Sequence, residues 1–137
     1  MEVVAVSRSF LTLVPVSGIR VVIFDDHAGS RDVLGVRLAT RGHACRVVET
    51  AEAAVAALTS DHPQVVIYDW RTRSGVYAGL ASTMRKIAGA SGRELLIIVT
   101  SSQDQPHPFD EDVDAYFTKP LDMGELIAFV ETRLATS

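Results

Sequence analysis

A single cysteine, Cys45, is all the sequence carries, so an internal disulfide is excluded and a reducing, cytoplasmic setting fits. Basic residues are not in surplus. The net charge is −4, which argues against non-specific binding to nucleic acid, since that needs a basic face. No apolar run reaches the length needed to cross a membrane. Glycine-rich phosphate loops of the GxGxxG or Walker type are absent, and with them the usual nucleotide sites. There is no internal repeat or low-complexity tract. What remains is a chain of 137 residues, 47% apolar and 22% charged, enough for one domain with a real core.

Residues 1–17 stand apart. "MEVVAVSRSFLTLVPVS" is apolar, but no basic region precedes the apolar part, so it makes a poor secretory signal. It reads as an extension that is frayed or loosely docked, with an added strand or a dimer contact as the sharper alternative. The domain proper is expected over 18–137.

Five short apolar runs recur along that domain: "IRVVIF", "ACRVVE", "QVVIY", "ELLIIVT" and "AYFT". Helical patterns lie between them. In "SRDVLGVRLATRG", Val33, Leu34, Leu38 and Arg41 fall near helical spacing and Gly42 makes a C′ stop. "TAEAAVAALTSDHP" has Thr50 as N-cap, with Pro63 beyond its end. "YAGLASTMRKIAGASG" puts Leu80, Met84 and Ile87 on one face. "DMGELIAFVETRLA" begins with Asp122 and Glu125 in capping-box positions. Apolar strands alternating with helices predict a parallel sheet covered on both sides. The segment "SSQDQPHPFDEDVD" interrupts the pattern. Pro106 and Pro108 forbid a regular helix through it, so a loop with at most one or two helical turns is expected.

Ligands of open parallel sheets bind at the carboxyl ends of the strands. The first strand ends at Asp25 and Asp26, the third at Asp69 and the fourth at Thr100 and Ser101. The fifth is followed by Lys119 and Pro120. Three carboxylates at one rim repel one another, and a divalent cation relieves this. Oxygen-only ligation with space for water suits Mg²⁺. With a lysine and a hydroxyl added, the rim could hold three phosphoryl oxygens, and Asp69, central among the acids, becomes the natural nucleophile.

The motifs "VVIFDDH", "VVIYDW", "IIVTS" and "AYFTKP", in that order, resemble the receiver domain of bacterial response regulators, the CheY-like family. The resemblance covers about Gly18 to Thr136. It implies a doubly wound, flavodoxin-like five-stranded sheet of order 2-1-3-4-5, here with its fourth helix short or missing. It also implies roles. Asp25 and Asp26 would hold Mg²⁺ together with Asp69 and the backbone carbonyl of Arg71. Asp69 would accept the phosphoryl group, Thr100 and Lys119 would bind it, and the Lys119–Pro120 peptide would be cis. Tyr116 matches an aromatic switch position, coupled to Thr100, that alters partner binding. The expected partners are a histidine kinase or phosphotransfer protein and an output protein of unknown identity. A homodimer stays open, and neither direct nucleic-acid contact nor membrane contact is expected. The chain would catalyse only its own phosphoryl transfer and dephosphorylation. With no room for an output domain, it would be a stand-alone regulator or a receiver from a hybrid kinase.

One departure is plain. After Asp69 the family usually shows a Met-Pro turn, whereas "RTRSGVYAGL" has no proline and a longer loop, with Arg71 and Arg73 close to the site. A degenerate receiver acting as a phosphorylation-independent scaffold is therefore the alternative. Two enzyme-like readings are weaker. A haloacid-dehalogenase-type phosphatase needs a second aspartate where Arg71 stands. A cobalamin module needs a glycine where "DDHAGS" has Ser30.

Overall fold

The computed structural model describes residues 17–72, 75–76, 79–102 and 110–135. Most of the expected N-terminal extension, together with Arg73, Tyr77 and the proline-bearing stretch 103–109, lies outside the described residues. Among the described residues eleven elements follow in chain order: β1 (Arg20–Phe24), α1 (Ala28–Thr40), β2 (Ala44–Val48), α2 (Ala51–Ser60), β3 (Val65–Asp69), a two-stranded hairpin of β4 (Arg71–Thr72) and β5 (Gly75–Val76), α3 (Leu80–Ala90), β6 (Leu96–Ser102), β7 (Ala115–Lys119) and α4 (Met123–Ala135).

The main sheet is parallel throughout, in the order β2-β1-β3-β6-β7. Counting its own five strands, this is 2-1-3-4-5, the flavodoxin-like order. Strand composition explains the positions. The three inner strands β1, β3 and β6 are buried almost end to end, whereas β2 and β7 at the edges are only partly covered. Continuous Val/Ile runs suit strands with helices on both faces. One face packs Val22, Phe24, Val66, Tyr68, Ile97 and Val99 against α2 and α3. The other packs Val21, Ile23, Ile67 and Ile98 against Leu34, Leu38, Leu126 and Val130 of α1 and α4.

Helix ends follow local chemistry. Thr50 caps α2 by accepting from the Ala53 N–H at 3.0 Å, as its position predicts. Asp122 Oδ1 accepts from the Glu125 N–H at 3.0 Å ahead of α4. Gly42 follows α1 with φ +90°, the left-handed geometry of a C′ residue.

The structure adds three details. Val33 is not on the buried face of α1; it is half exposed, and the contact is made by Leu34, Gly35 and Leu38. Gly35 is buried on this face, and a Cβ there would lie at ordinary contact distance, 3.5 Å, from the Val47 side chain. The third helix begins at Leu80, after Gly79 at φ +83°. The long loop expected after Asp69 contains the β4–β5 hairpin, with Arg71 opposite Val76 and Thr72 opposite Gly75. Between β6 and β7, the described residues 110–114 form a turn, with the Asp112 N–H bonded to Asp110 Oδ1 at 2.9 Å, and no helix.

A polar strut ties the far side together. His43 is buried; its Nδ1 accepts from the Ile19 N–H at 3.3 Å and its Nε2 lies 2.8 Å from Glu131 Oε2. Arg41 grips the same carboxylate with two bonds of 2.6 Å, linking the α1–β2 turn to α4.

Candidate functional site

Parallel strands all point their carboxyl ends the same way, so the residues that end β1, β3, β6 and β7 meet at one rim. Asp25 and Asp69 are both buried there, at 5% and 9% exposure, although each is a carboxylate. Burial of that kind demands partners. Lys119, the last residue of β7, supplies one ammonium to both: its Nζ lies 3.0 Å from Asp25 Oδ2 and 2.9 Å from Asp69 Oδ2. The remaining oxygens accept backbone N–H groups, Asp25 Oδ1 from His27 at 2.9 Å and Asp69 Oδ1 from Arg71 at 3.3 Å.

Thr100 is buried and paired with Asp69 in the β3–β6 register. The Trp70 N–H donates to the Thr100 carbonyl at 2.8 Å, which locks the two strand ends together just past the acid. Asp25, Asp69 and Thr100 border one small internal space with Arg31 and Leu121. Asp26 adjoins Asp25 and is half-buried. Arg71 is exposed. Tyr116 sits beside Val99, one residue before Thr100; it packs partly buried on the α2/α3-side core, and its hydroxyl accepts from the Asp110 N–H at 3.1 Å. The Lys119–Pro120 peptide is cis.

Electrostatics follow from burial and pairing. Burial raises the Asp69 carboxyl above its ordinary range; Lys119 pulls it back and Asp25 adds to the rise. For Lys119, burial alone would lower the value. The bonds and charges of Asp69 and Asp25 outweigh it and hold the ammonium above its usual pKa, so it stays charged near neutrality.

Among the described residues no three His, Cys, Asp or Glu side chains converge as a metal cluster. The donor chemistry still fits a hard divalent ion. Asp25, Asp26, Asp69 and the Arg71 carbonyl offer only oxygen, and the Lys119 ammonium already shows that the space between two of the acids accommodates a cation. Two wider grooves, about 600 and 620 Å³, lie elsewhere, along β1 and β2 and at the amino ends of the central strands. A phosphoryl group held at a rim does not need such a volume.

Two contributors escaped the sequence reading. His27 caps α1, its Nδ1 accepting from the Ser30 N–H at 3.4 Å, while its own N–H orients Asp25. Arg31 donates to the Asp25 carbonyl at 3.1 Å and pairs with Glu49 at 2.9 Å. The only available signal was its place one turn into the helix that follows the acids.

Comparison with known proteins agrees with this geometry. The family described as "Response regulator receiver domain" matches residues 21–131. A curated relative, the phosphate regulon transcriptional regulatory protein PhoB of Pseudomonas aeruginosa, is 23% identical over 113 residues, covering 81% of this chain and 49% of its own. The chain thus spans about half the length of that relative. Among solved structures, a response regulator receiver protein from Pseudomonas putida superposes with a TM-score of 0.68 at 27% identity, covering 85% of this chain and 98% of that one. A CheY-like receiver domain from Methylobacillus flagellatus reaches 0.72 at 18% identity, with the same coverage of 85% and 98%.

Proposed function

The chain belongs to the response regulator receiver family, and we propose that it is a phosphorylation-activated two-component signalling module with Asp69 as acceptor. The supporting observation is the single Lys119 ammonium shared by Asp25 and Asp69, with Thr100 on the neighbouring strand. An Asp69 oxygen attacks the phosphorus of a phosphohistidine on a kinase or phosphotransfer protein. The P–O bond forms as the P–N bond breaks, and the histidine leaves. Lys119 and Thr100 then bind phosphoryl oxygens, stabilising the charge that phosphoryl transfer spreads over them. Mg²⁺, held by Asp25, Asp26, Asp69 and the Arg71 carbonyl, would supply charge neutralisation at the same rim. Asp25 is held for this by the His27 amide and by Arg31.

Water later hydrolyses the acyl phosphate, so the chain turns over only its own modification. Phosphorylation draws Thr100 toward the phosphoryl group and lets Tyr116 repack, changing affinity for an output protein. A cytoplasmic setting suits this role, and none of the described helices is long and apolar enough to cross a membrane.

Incubation with acetyl phosphate and Mg²⁺, read by intact mass, tests the reading. The wild type should gain one phosphoryl group and Asp69→Asn none. A wild type that stays unmodified, or a variant modified equally, overturns it.

A further inference from the structure

Arg31 is an odd residue for its place. It stands in the first turn of α1, where the positive end of the helix disfavours a cation, and that turn holds no acid. Its side chain is nonetheless only 15% exposed. The guanidinium donates to the Asp25 backbone carbonyl at 3.1 Å and to Glu49 Oε1 at 2.9 Å. Glu49 follows β2 directly and Phe24 pairs with Val48, so Asp25 and Glu49 leave the sheet side by side. One side chain of α1 thus ties the ends of β1 and β2 together. Stability does not account for this. The Glu49 side chain is 70% exposed, and Asp32, 3.7 Å from the Arg31 Nε, is 68% exposed. Ion pairs with partners so open contribute little.

The Asp25 carboxylate is already engaged at both oxygens, Oδ2 by Lys119 and Oδ1 by the His27 N–H. Its carbonyl is a separate handle. It belongs to the planar peptide that leads into Asp26, so a bond to it sets the direction in which the Asp26 backbone departs. Arg31 therefore acts on the second acid through the main chain of the first. A guanidinium suits this task, since its rigid fork meets the carbonyl and the Glu49 carboxylate at once.

We propose that the Glu49–Arg31 pair is a positioning device for the Asp25–Asp26 peptide and that it sets how tightly the rim holds a divalent cation. The inference rests on the Mg²⁺ site of the proposed function. Two opposed effects decide its sign. As a cation near the acids, Arg31 opposes a metal. As an anchor of their backbone, it favours one. Groups that orient metal ligands from outside are worth about 10–100-fold in affinity. The charge of Arg31, by contrast, is offset by its pairing with Glu49. Anchoring wins, and Arg31 strengthens metal binding.

Mg²⁺ titration of the full chain tests this, read by calorimetry and by the fluorescence of Trp70, the only tryptophan, beside Asp69. Arg31→Met should bind Mg²⁺ about tenfold more weakly, or worse. Arg31→Lys should recover little of the loss, because an ammonium carries the charge without the fork. Glu49→Gln changes an exposed side chain and so keeps the test open if Arg31→Met does not fold. It should weaken binding about threefold, and more than Glu52→Gln, which removes the same charge from the first turn of α2. Arg31→Met that binds as tightly as the wild type overturns the proposal. Tighter binding does so too, since that is what removing a merely neighbouring cation would give. Full recovery by lysine, or equal losses in Glu49→Gln and Glu52→Gln, also overturns it. A wild type that takes up no Mg²⁺ overturns the metal reading itself and this inference with it, a result distinct from wild-type affinity in the variants.

Discussion

Replacing Lys119 with methionine keeps the length of the side chain and removes the one cation between two buried acids. At 3.0 and 2.9 Å, with an effective dielectric near 20, each contact is worth about 5–6 kcal/mol before desolvation. Burial of the ammonium cancels much of that. Deleting one member of a buried pair costs about 3–5 kcal/mol in net terms. The Lys119 side chain is 20% exposed, which moves the expectation to the lower end, about 3 kcal/mol. For a domain of this size that is a fall of about 10 °C in Tm.

The pH dependence has a defined sign. The folded Asp69 is raised above its unfolded value, so its contribution is favourable below the unfolded pKa and is lost as pH rises through the folded one. Without Lys119 the Asp69 carboxyl rises further. The deficit of Lys119→Met should therefore be largest near neutrality and shrink as the solution is acidified. Millimolar Mg²⁺ should stabilise the variant more than the wild type. Urea unfolding across pH, with and without Mg²⁺, reads all of this. A variant as stable as the wild type at neutral pH, or one with the same deficit at every pH, refutes the reasoning.

Two further substitutions probe smaller terms. Arg71→Ala removes an exposed cation two residues after Asp69; if that guanidinium shields the phosphoryl group from water, dephosphorylation should quicken by up to about fivefold, the effect of roughly 1 kcal/mol. Equal lifetimes in wild type and variant dispose of the idea. Thr50→Ala removes the α2 cap and should lower stability by about 1 kcal/mol, measured by thermal unfolding.

Much of the fold was readable because its signals are local. Val65–Tyr68 and Leu95–Val99 are uninterrupted apolar runs, and such runs can only be buried strands or buried helices; their length and β-branching decide between the two. Asp25 and Asp69 were conspicuous because a carboxylate closing such a run needs a reason. The hairpin after Asp69 was not readable, since Arg71–Thr72 and Gly75–Val76 are too short to show alternation and no Asn-Gly or Asp-Gly turn marks them. The capping role of His27 was missed because histidine is an uncommon N-cap, so only the fold reveals its bond to Ser30. The double grip of Lys119 depends on the β6–β7 pairing, where Ser102 faces Lys119, and no single segment encodes that.

The bond from Trp70 to the Thr100 carbonyl continues the ladder one step beyond the paired acid and alcohol. Backbone at these two positions therefore behaves as a single rigid bar, and neither strand can slide to bring them closer. Any approach of the hydroxyl to a modified Asp69 has to come from a turn about one side-chain bond. The switch proposed here is a rotor mounted on a fixed frame, and its speed would be that of rotamer exchange in a crowded space, not that of a moving domain.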